Sequence, residues 1–250
     1  MLYCENELGY AGNKGGKYMK KTLLKKILLL VIAGAFVLLS ACSESTEEQI
    51  HNHLEEAVAQ EAEFEEQQGQ ITELEQREQE LYNEITQPHM EEFDQIQELS
   101  EEALEVIDER ADKITQERES IASSHETFQM TEDLIAELDE DVKEKGEEMY
   151  NVMESRYTAY YNLFDAYMNS LELEREMYEM LQQEDTEQES LNEQINSINE
   201  SYQSVLDYND QFNEYTVEYN ELKQEFYDEA DLNVTYEENE TEEPEEEEEN

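Results

Sequence analysis

Apolar residues recur along most of the chain at steps of three, four and seven, the spacing that places them on one face of an α-helix. The first such segment runs from about Glu47 to Thr86. Pro88 follows it, and because proline lacks an amide hydrogen and restrains the residue before it, the helix is predicted to end there. Its apolar face contains Ile50, Leu54, Ala57, Phe64, Ile71, Leu74, Leu81 and Ile85.

A second and a third segment continue this pattern. The second helix is predicted from about His89 to Leu138, a rod of roughly 75 Å at ~1.5 Å per residue. A turn is expected at the start of the polar stretch 139–146, and the third helix then runs to about Gln183. The second apolar face contains Phe93, Ile96, Leu104, Ile107, Ala111, Ile114, Ile121, Phe128 and Ile135. The third contains Met149, Met153, Tyr157, Tyr160, Phe164, Met168 and Leu171. Its spacing is nearer to an 11-residue repeat than to a heptad, which favours straight or slightly right-handed packing.

A polar interval separates the third segment from a fourth. Residues 182–190 are all polar, so a turn is expected there, with Asp185 or Thr186 capping the next helix. One continuous helix is the alternative, since the ten-residue step from Leu181 to Leu191 also suits a single helix. The fourth apolar face contains Leu191, Ile195, Ile198, Tyr202, Val205, Phe212, Tyr219, Leu222 and Phe226.

Four polar residues interrupt these apolar faces. Arg118 and His125 fall on the second face, and the simpler interpretation is packing at the edge of the core with their polar groups at the surface. Asn209 and Thr216 fall on the fourth face, where one polar residue can fix the register of packed helices.

The composition after Cys42 favours an all-α fold. Glycine and proline occur there only at Gly69, Gly146, Pro88 and Pro244, and good helix formers are abundant. We predict an all-α, elongated four-helix up-and-down antiparallel bundle with coiled-coil-like packing over residues 47–231. Its two ends then lie at one pole. The turns near Pro88 and Asp185 lie at the other pole, where we expect a partner contact.

The two ends of the chain do not fit this helical body. Residues 232–250 are dominated by glutamate, cannot bury a core and are predicted to be a disordered acidic tail. Residues 1–18 are interpreted as the product of a mis-called start and as not structured, because Met19 followed by lysines is a better beginning for an exported chain. On this interpretation Cys4 is not translated. Cys42 remains as the single cysteine, and no disulfide is expected.

Residues 19–41 have the features of a lipoprotein signal peptide. Lysines precede a 13-residue apolar run, 27–39, which is shorter than the roughly 20 residues needed to cross a bilayer. The residues before Cys42 resemble the lipobox of bacterial lipoproteins, namely Leu39, Ser40 and Ala41. The alternatives are an ordinary signal peptide with a chance cysteine, or a short membrane anchor.

The lipobox resemblance implies cleavage before Cys42 and covalent attachment of diacylglycerol and palmitate to that residue. Two acyl chains anchor a protein stably where one is marginal. Residues 42–46 would then be a lipidated tether, and the chain would lie on the outer face of the cytoplasmic membrane. No other cofactor is expected.

Negative charge dominates the mature chain. The formal net charge is −54, and because six of the 15 basic residues but only two of the 69 acidic ones precede Cys42, the cleaved chain carries −58. This balance argues against nucleic acid and anionic membrane faces as partners. The simpler interpretation is a solvated surface suited to salt or high pH outside the cell. The alternative is a sink for divalent cations or a platform for a basic partner.

The sequence contains no pattern that predicts a metal site or catalysis. His51 and His53 are two residues apart, so on a helix they point in nearly opposite directions and cannot chelate one ion. Glu48 and His51 match the Glu-x-x-His spacing of di-iron bundles, but those bundles need a second such motif, which the sequence lacks. Glycine-rich phosphate loops and zinc-binding helix motifs are also missing from it. We therefore predict a protein that is not an enzyme and has no metal site.

Eleven tyrosines lie between Tyr150 and Tyr227. Those considered as a face for stacking on peptidoglycan sugars include Tyr157, Tyr160, Tyr161, Tyr202, Tyr215 and Tyr219. The simpler interpretation is that tyrosine fills the edge of the core with its hydroxyl in water.

Six short segments give the chain a resemblance to a known family. They are residues 50–55, 64–68, 80–82, 178–182, 198–202 and 219–223. With these segments the chain resembles the YkyA-like family of Gram-positive bacteria, described as cell-wall-binding lipoproteins. The resemblance implies a four-helix up-and-down bundle and an association with the cell envelope. None of the six segments is a catalytic motif.

The sequence thus predicts a membrane-anchored extracytoplasmic lipoprotein, a non-enzymatic helical scaffold that binds the cell wall or envelope. Its expected partners are the membrane, through the lipid, and peptidoglycan or envelope proteins. The alternative is a surface lipoprotein that binds cations or a small ligand, with divalent cations held non-specifically by its carboxylates. A wall-active enzyme is a third hypothesis, and it would require a cleft with convergent carboxylates.

Overall fold

The computed structural model describes residues 44–87, 93–232 and 234, and the regular structure in this part of the chain is entirely helical. The all-α prediction is therefore confirmed. The helices are α1 (Thr46–Gln60), α2 (Ala62–Ile85), α3 (Phe93–Gln129), α4 (Thr131–Ala136), α5 (Glu140–Leu181) and α6 (Gln188–Glu229).

Several predictions concern residues outside the described part of the chain. These are the start at 1–18, the signal peptide 19–41 and the lipidated Cys42. Pro88 and nearly all of the acidic tail also lie outside it.

Helix α1 begins with a capping box. The Ser45 hydroxyl accepts a hydrogen bond from the Glu48 amide at 3.2 Å, and the Glu48 carboxylate accepts one from the Ser45 amide at 3.1 Å. This reciprocal pair satisfies two amides that a helix start otherwise leaves unpaired. Glu48 therefore stabilises the start of the helix. This role explains the residue without a metal site shared with His51.

The first predicted helix is divided at Glu61 into α1 and α2. The Ser120 hydroxyl of α3 donates to the Gln60 carbonyl at 2.6 Å, so a neighbouring helix engages that carbonyl. The Glu61 amide bonds to the Val58 carbonyl, three residues back, where a regular α-helix uses the fourth. The expectation of one uninterrupted helix over 47–86 is wrong, because the helix is interrupted at the point where Ser120 of α3 engages it, at a position with neither glycine nor proline.

The second predicted helix is divided at Met130 into α3 and α4, and its regular part ends at Ala136. The Met130 amide bonds to the Thr127 carbonyl at 3.2 Å, and the Thr131 hydroxyl donates to the Phe128 carbonyl at 2.7 Å. Threonine hydroxyls compete with backbone amides for such carbonyls. The prediction of an uninterrupted helix to Leu138 is therefore also wrong, because the helix contains one irregular turn at Met130 and ends at Ala136.

The predicted turn at the start of 139–146 is confirmed, with α5 beginning after Asp139. Gly146 has no part in that turn, because it lies buried inside α5. A Cβ atom at this position would lie 3.0 Å from Cγ2 of Ile135 and 3.4 Å from the Phe226 ring. The glycine thus allows α4, α5 and α6 to approach one another closely.

Helices α5 and α6 are separate, so the predicted turn between them is confirmed and a continuous helix is excluded. The predicted capping of α6 by Asp185 or Thr186 is wrong, because the residue before its first turn is Glu187. The Thr186 hydroxyl instead donates to the Met180 carbonyl at 2.6 Å and satisfies the end of α5.

Hydrogen bonds between helices show how they lie side by side. Lys145 of α5 contacts Glu225 of α6 at 2.9 Å, and near the other end Gln194 of α6 donates to the Leu173 carbonyl of α5 at 2.8 Å. Residue numbers thus rise along α5 as they fall along α6, so the two helices run antiparallel. The same order relates α2 to α3 and α3 to α5.

Buried apolar residues form two clusters. The aromatic core includes Ile50, Leu54, Ile121, Phe128, Tyr157, Tyr160, Phe212, Tyr219, Phe226 and Tyr227. The aliphatic core includes Ile71, Leu81, Ile107, Ile114, Leu163, Leu171, Ile198 and Val205. Most residues of the four predicted apolar faces are buried in these cores or packed against them.

Candidate functional site

Polar side chains enter the core at three levels, which we call the polar layers. At the centre of each layer lie one residue of α1–α2 or the turn between them, one of α3 and one of α5, and further polar side chains bond to these. The first layer contains Glu61, Ser124 and Arg156, the second Gln68, Glu117 and Tyr160, and the third Glu75, Arg110 and Tyr167. The layer residues on α1–α2 and on α3 recur every seven positions, so consecutive layers are about 10 Å apart.

The third layer encloses one arginine among carboxylates. Arg110 is 2% exposed and donates through Nη1 to Glu174 at 2.7 Å and to Glu78. Its Nη2 lies 3.7 Å from the carboxylate of Glu75. The Tyr167 hydroxyl accepts from Nε of Arg110 at 3.0 Å and donates to Glu75 at 2.9 Å.

Carboxylates outnumber the guanidinium in the third layer, and this changes their protonation. Burial raises the pKa of Glu174 well above its usual range and also raises the pKa of Glu78. Burial by itself would lower the pKa of Arg110, but the carboxylates around it, Glu174 first, raise that pKa. The arginine stays charged, and the layer retains a proton at a pH where surface glutamates have lost theirs.

The first layer holds a matched ion pair. Nη1 and Nη2 of Arg156 donate to the two oxygens of Glu61 at 2.9 and 2.7 Å, a bidentate arrangement. The Ser124 hydroxyl donates to Glu61 at 2.9 Å, and Nε of Arg156 donates to Thr216 at 2.9 Å. The guanidinium carbon also lies 4.5 Å from the centre of the Phe212 ring. Thr216, a polar interruption of the fourth face, thus accepts a hydrogen bond from this arginine.

The second layer holds a carboxyl group without a cation. Glu117 is fully buried, and Gln68 donates a hydrogen bond to one of its oxygens. Burial raises the pKa of Glu117 to about 7. The Tyr160 hydroxyl lies beside this carboxyl group and interacts with it. Burial, with the nearby Glu117 carboxylate, raises the pKa of Tyr160 far above its usual range.

These layers lie between the helices, where Glu117 and Glu174 are buried while the carboxylates of Glu61 and Glu75 keep 11% and 12% of their side-chain surface exposed. What they can do chemically is hold protons and fix the relative register of the helices, which buried polar residues do in other helical assemblies.

Sequence reasoning missed the polar layers, although a signal was present. Arg110, Glu117, Ser124 and Thr131 recur every seven residues along α3 and into α4, and each lies three or four residues from the buried isoleucines or Phe128. A strict heptad with polar residues at one of its two core positions predicts alternating polar and apolar layers.

The two polar residues that interrupt the second apolar face, Arg118 and His125, lie beside the core. Arg118 is exposed, with its guanidinium over the rings of Tyr161 and Phe164 at 5.6 and 5.2 Å. His125 is half-buried, stacks on Tyr157 at 4.2 Å and contacts Glu154 at 2.9 Å. Packing at the core edge, the simpler interpretation, is confirmed for both.

The predicted tyrosines divide into two groups. Tyr161, Tyr202 and Tyr215 are half-buried, whereas Tyr157, Tyr160 and Tyr219 are buried. The placement of tyrosine hydroxyls in water is wrong for the buried group. For example, the Tyr157 hydroxyl lies 2.8 Å from Ser124, because the polar layers give such hydroxyls a place inside.

An open groove of about 250 Å³ lies on the outer surface between α5 and α6. Its lining includes Glu154, Thr158, Asn162, Gln211 and Tyr215. Ser155 and the buried Ala159 complete it. Tyr215 is the one lining residue that the sequence analysis singled out.

Two further findings concern the described part of the chain. None of its helices is both long and apolar enough to cross a membrane. Nor do three or more of its His, Cys, Asp or Glu side chains come together in a group suited to a metal ion. His51 instead packs against Tyr227 with ring centres 5.2 Å apart.

Comparison with known proteins gives a structural neighbour and a family. The structure is similar to the 1.6 Å crystal structure of a conserved protein of unknown function from Staphylococcus aureus, with a TM-score of 0.62 and 15% identity. The similarity covers 76% of this chain and 97% of that one, and at this identity it shows the fold alone. No curated protein matches the chain. The model of the YkyA family, described as "Putative cell-wall binding lipoprotein", matches residues 45–229. The chain therefore belongs to the YkyA family.

Proposed function

We propose that this protein is a membrane-anchored extracytoplasmic lipoprotein that binds the cell wall or another envelope component and is not an enzyme. The observation that carries the proposal is the family match over residues 45–229, which spans all the described helices. The family's description names both a lipoprotein and a cell-wall-binding activity.

We infer that the helical body is an elongated, four-rod antiparallel bundle with coiled-coil-like packing. The rods would be α1–α2, α3–α4, α5 and α6. The antiparallel order of their contacts and the three- and four-residue steps between buried residues support this arrangement. With 42 residues, α5 alone is roughly 60 Å long.

The anchor is proposed at Cys42, with Leu39, Ser40 and Ala41 as the lipobox. The rings of His51 and Tyr227 lie 5.2 Å apart, so the first and last described helices meet at one end of the body. A lipid at Cys42 would place that end at the membrane and the turn at 182–187 far from it. The distal turn is therefore proposed as a region that reaches into the wall.

The absence of an enzymatic role is supported by the placement of the unusual carboxyl groups. Glu78, Glu117 and Glu174 have raised pKa values because they are buried, which at an active site would suggest acid–base chemistry. Here all three are buried between helices, at 8%, 0% and 2% exposed, so contact with a wall polymer is not expected.

The anchor is tested in a Gram-positive host fed with labelled palmitate. The whole chain is expected to take up the label and to fractionate with the membrane, whereas Cys42→Ala is expected to lose the label. Equal labelling of the two chains would contradict the assignment of Cys42.

Wall binding is tested in cells by removing the anchor. A chain in which an ordinary cleavable secretion signal replaces residues 1–42 is expected to stay with the isolated envelope and to be released by a muramidase. The matched control is an unrelated acidic helical protein with the same signal, which is expected in the medium. Recovery of both chains in the medium would contradict wall binding.

A further inference from the structure

The groove between α5 and α6 is shaped by the spacing of its lining residues. Glu154, Thr158 and Asn162 follow one another at four-residue steps on α5, while Gln211 and Tyr215 do so on α6. Side chains four residues apart stack along one face of a helix. The two rows therefore form the walls of a trough that runs along both helices, with buried Ala159 at its floor.

The lining has the chemistry of a site for a neutral polar ligand. It offers the hydroxyls of Thr158 and Tyr215, the carboxamide of Asn162 and the side-chain oxygen of Gln211, whose amide already donates to the Asp207 carbonyl at 3.2 Å. Among the described residues, no side chain or carbonyl forms a hydrogen bond with the Asn162 amide, the Thr158 hydroxyl or the Tyr215 hydroxyl. These groups are therefore available to a ligand, and the Tyr215 ring adds an amphipathic surface.

Charge narrows the class of ligand further. Glu154 is the single charged residue of the lining, and its carboxylate already lies 2.9 Å from His125. A chain with a formal charge of −54 repels an anion, and a groove with one engaged carboxylate has little to offer a cation. These arguments leave a neutral ligand. A ligand with hydroxyl and amide groups would match the hydrogen-bond donors and acceptors that line the groove.

We propose that this groove binds a neutral N-acetylated sugar unit of a glycan. The Tyr215 ring would pack against the apolar face of the sugar, and Asn162 and Gln211 would bond to its acetamido group and hydroxyls. The volume of about 250 Å³ lies just below the roughly 300–1,000 Å³ of typical ligand sites, which suits one ring of a longer chain. The inference rests on the proposed function, because it names the part of the wall that the body would recognise.

The test is a calorimetric or NMR titration of chain 43–250, which retains every described residue, with the trimer of N-acetylglucosamine. Cellotriose, which lacks acetamido groups, is the ligand control. Tyr215→Ala is expected to weaken trimer binding by about tenfold or more. Asn162→Ala, a change at an exposed position where folding is not at risk, is expected to weaken it as well.

Tyr208→Ala is the matched protein control, because Tyr208 is a half-buried tyrosine of α6 outside the groove. It is expected to bind the trimer as the parent chain does. Equal affinity of the Tyr215 and Asn162 variants and the parent would overturn the inference.

Failure of this inference is distinguishable from failure of the proposed function. If the trimer does not bind at about 10 mM but sacculi still retain the chain, the groove is not the site and wall binding stands. If neither the trimer nor sacculi bind, both proposals are wrong.

Discussion

The first and third polar layers each enclose an arginine, yet they surround it differently. Arg156 meets a single carboxylate, Glu61, through two parallel hydrogen bonds. Arg110 meets three carboxylates, of which Glu174 is as completely buried as the arginine itself. The first layer is neutral when fully ionised, whereas the third carries an excess of negative charge that protons must offset.

This difference shows that the balance of buried charge, more than the presence of an ion pair, sets how the structure responds to pH. In the third layer, burial raises the pKa of Glu78 and Glu174, so folding takes up protons there. The contribution of these groups to stability is greatest at low pH and is lost as the pH rises through their folded-state pKa values. The matched first layer lacks such an excess of carboxylate.

The largest effect is expected from Arg110→Met, which keeps the side-chain volume and removes the cation. It leaves three carboxylates enclosed without a partner and is expected to cost about 4–5 kcal/mol of unfolding free energy at pH 8. The loss should be smaller at pH 5, because protonation removes the stranded charges. Denaturant unfolding at the two pH values measures this, and equal losses at both would contradict the account.

Arg156→Met is expected to cost less, about 3 kcal/mol, since it strands one carboxylate. Glu61→Gln added to it should restore most of that loss by removing the remaining charge. By contrast, Glu174→Gln added to Arg110→Met should restore only part, because Glu75 and Glu78 remain. Urea unfolding of the two double-mutant cycles makes the comparison, and equal restoration in both would show that the layers do not differ as described.

A third effect concerns the second layer, where Glu117→Gln removes a titrating group and keeps its shape. The pKa of Glu117 is raised from 4.5 to about 7, so its favourable contribution is complete below pH 4.5 and lost by about pH 7. The stability of the variant relative to the parent should therefore rise by on the order of 3 kcal/mol between pH 4.5 and pH 8. A difference that stays constant over this range would mean that folding does not raise the pKa of Glu117.

The smallest effect is expected from salt, which screens surface charge far better than buried charge. The melting temperature of chain 43–250 should rise by a few degrees with added sodium chloride, and further with magnesium at equal ionic strength, because surface self-repulsion falls. Salt should not recover the loss caused by Arg110→Met. A melting temperature insensitive to both salts would remove the case for surface repulsion.

The neighbours Glu117 and Arg118 show how much of the fold could be predicted from the sequence. Both lie at helical spacing from buried isoleucines, and the apolar pattern alone predicts the faces and most of the turns correctly. The apolar pattern included Arg118, with its polar group expected at the surface, and overlooked Glu117. In the structure Arg118 is exposed, as expected, and Glu117 is buried. A step of three or four fits either residue, and only the partners Gln68 and Tyr160 on other helices decide between them.

The interruptions at Glu61 and Met130 were beyond prediction for a related reason. Neither is marked by glycine or proline, and beside the first the Gln60 carbonyl accepts a hydrogen bond from Ser120, which lies 60 residues further along the chain. The groove likewise depends on which faces of α5 and α6 remain outside after packing. Tyr215 could be named from composition, but its companions Asn162 and Gln211 are ordinary helix-surface residues in the sequence.

The most direct test of the whole account is co-sedimentation of chain 43–250 with purified sacculi, before and after removal of teichoic acids, in magnesium or in chelator. The account predicts that binding persists without teichoic acids and without magnesium, because a neutral glycan is the ligand. Binding that requires both would mean that cations bridge two anionic polymers. No sedimentation under any condition would contradict wall binding by this protein.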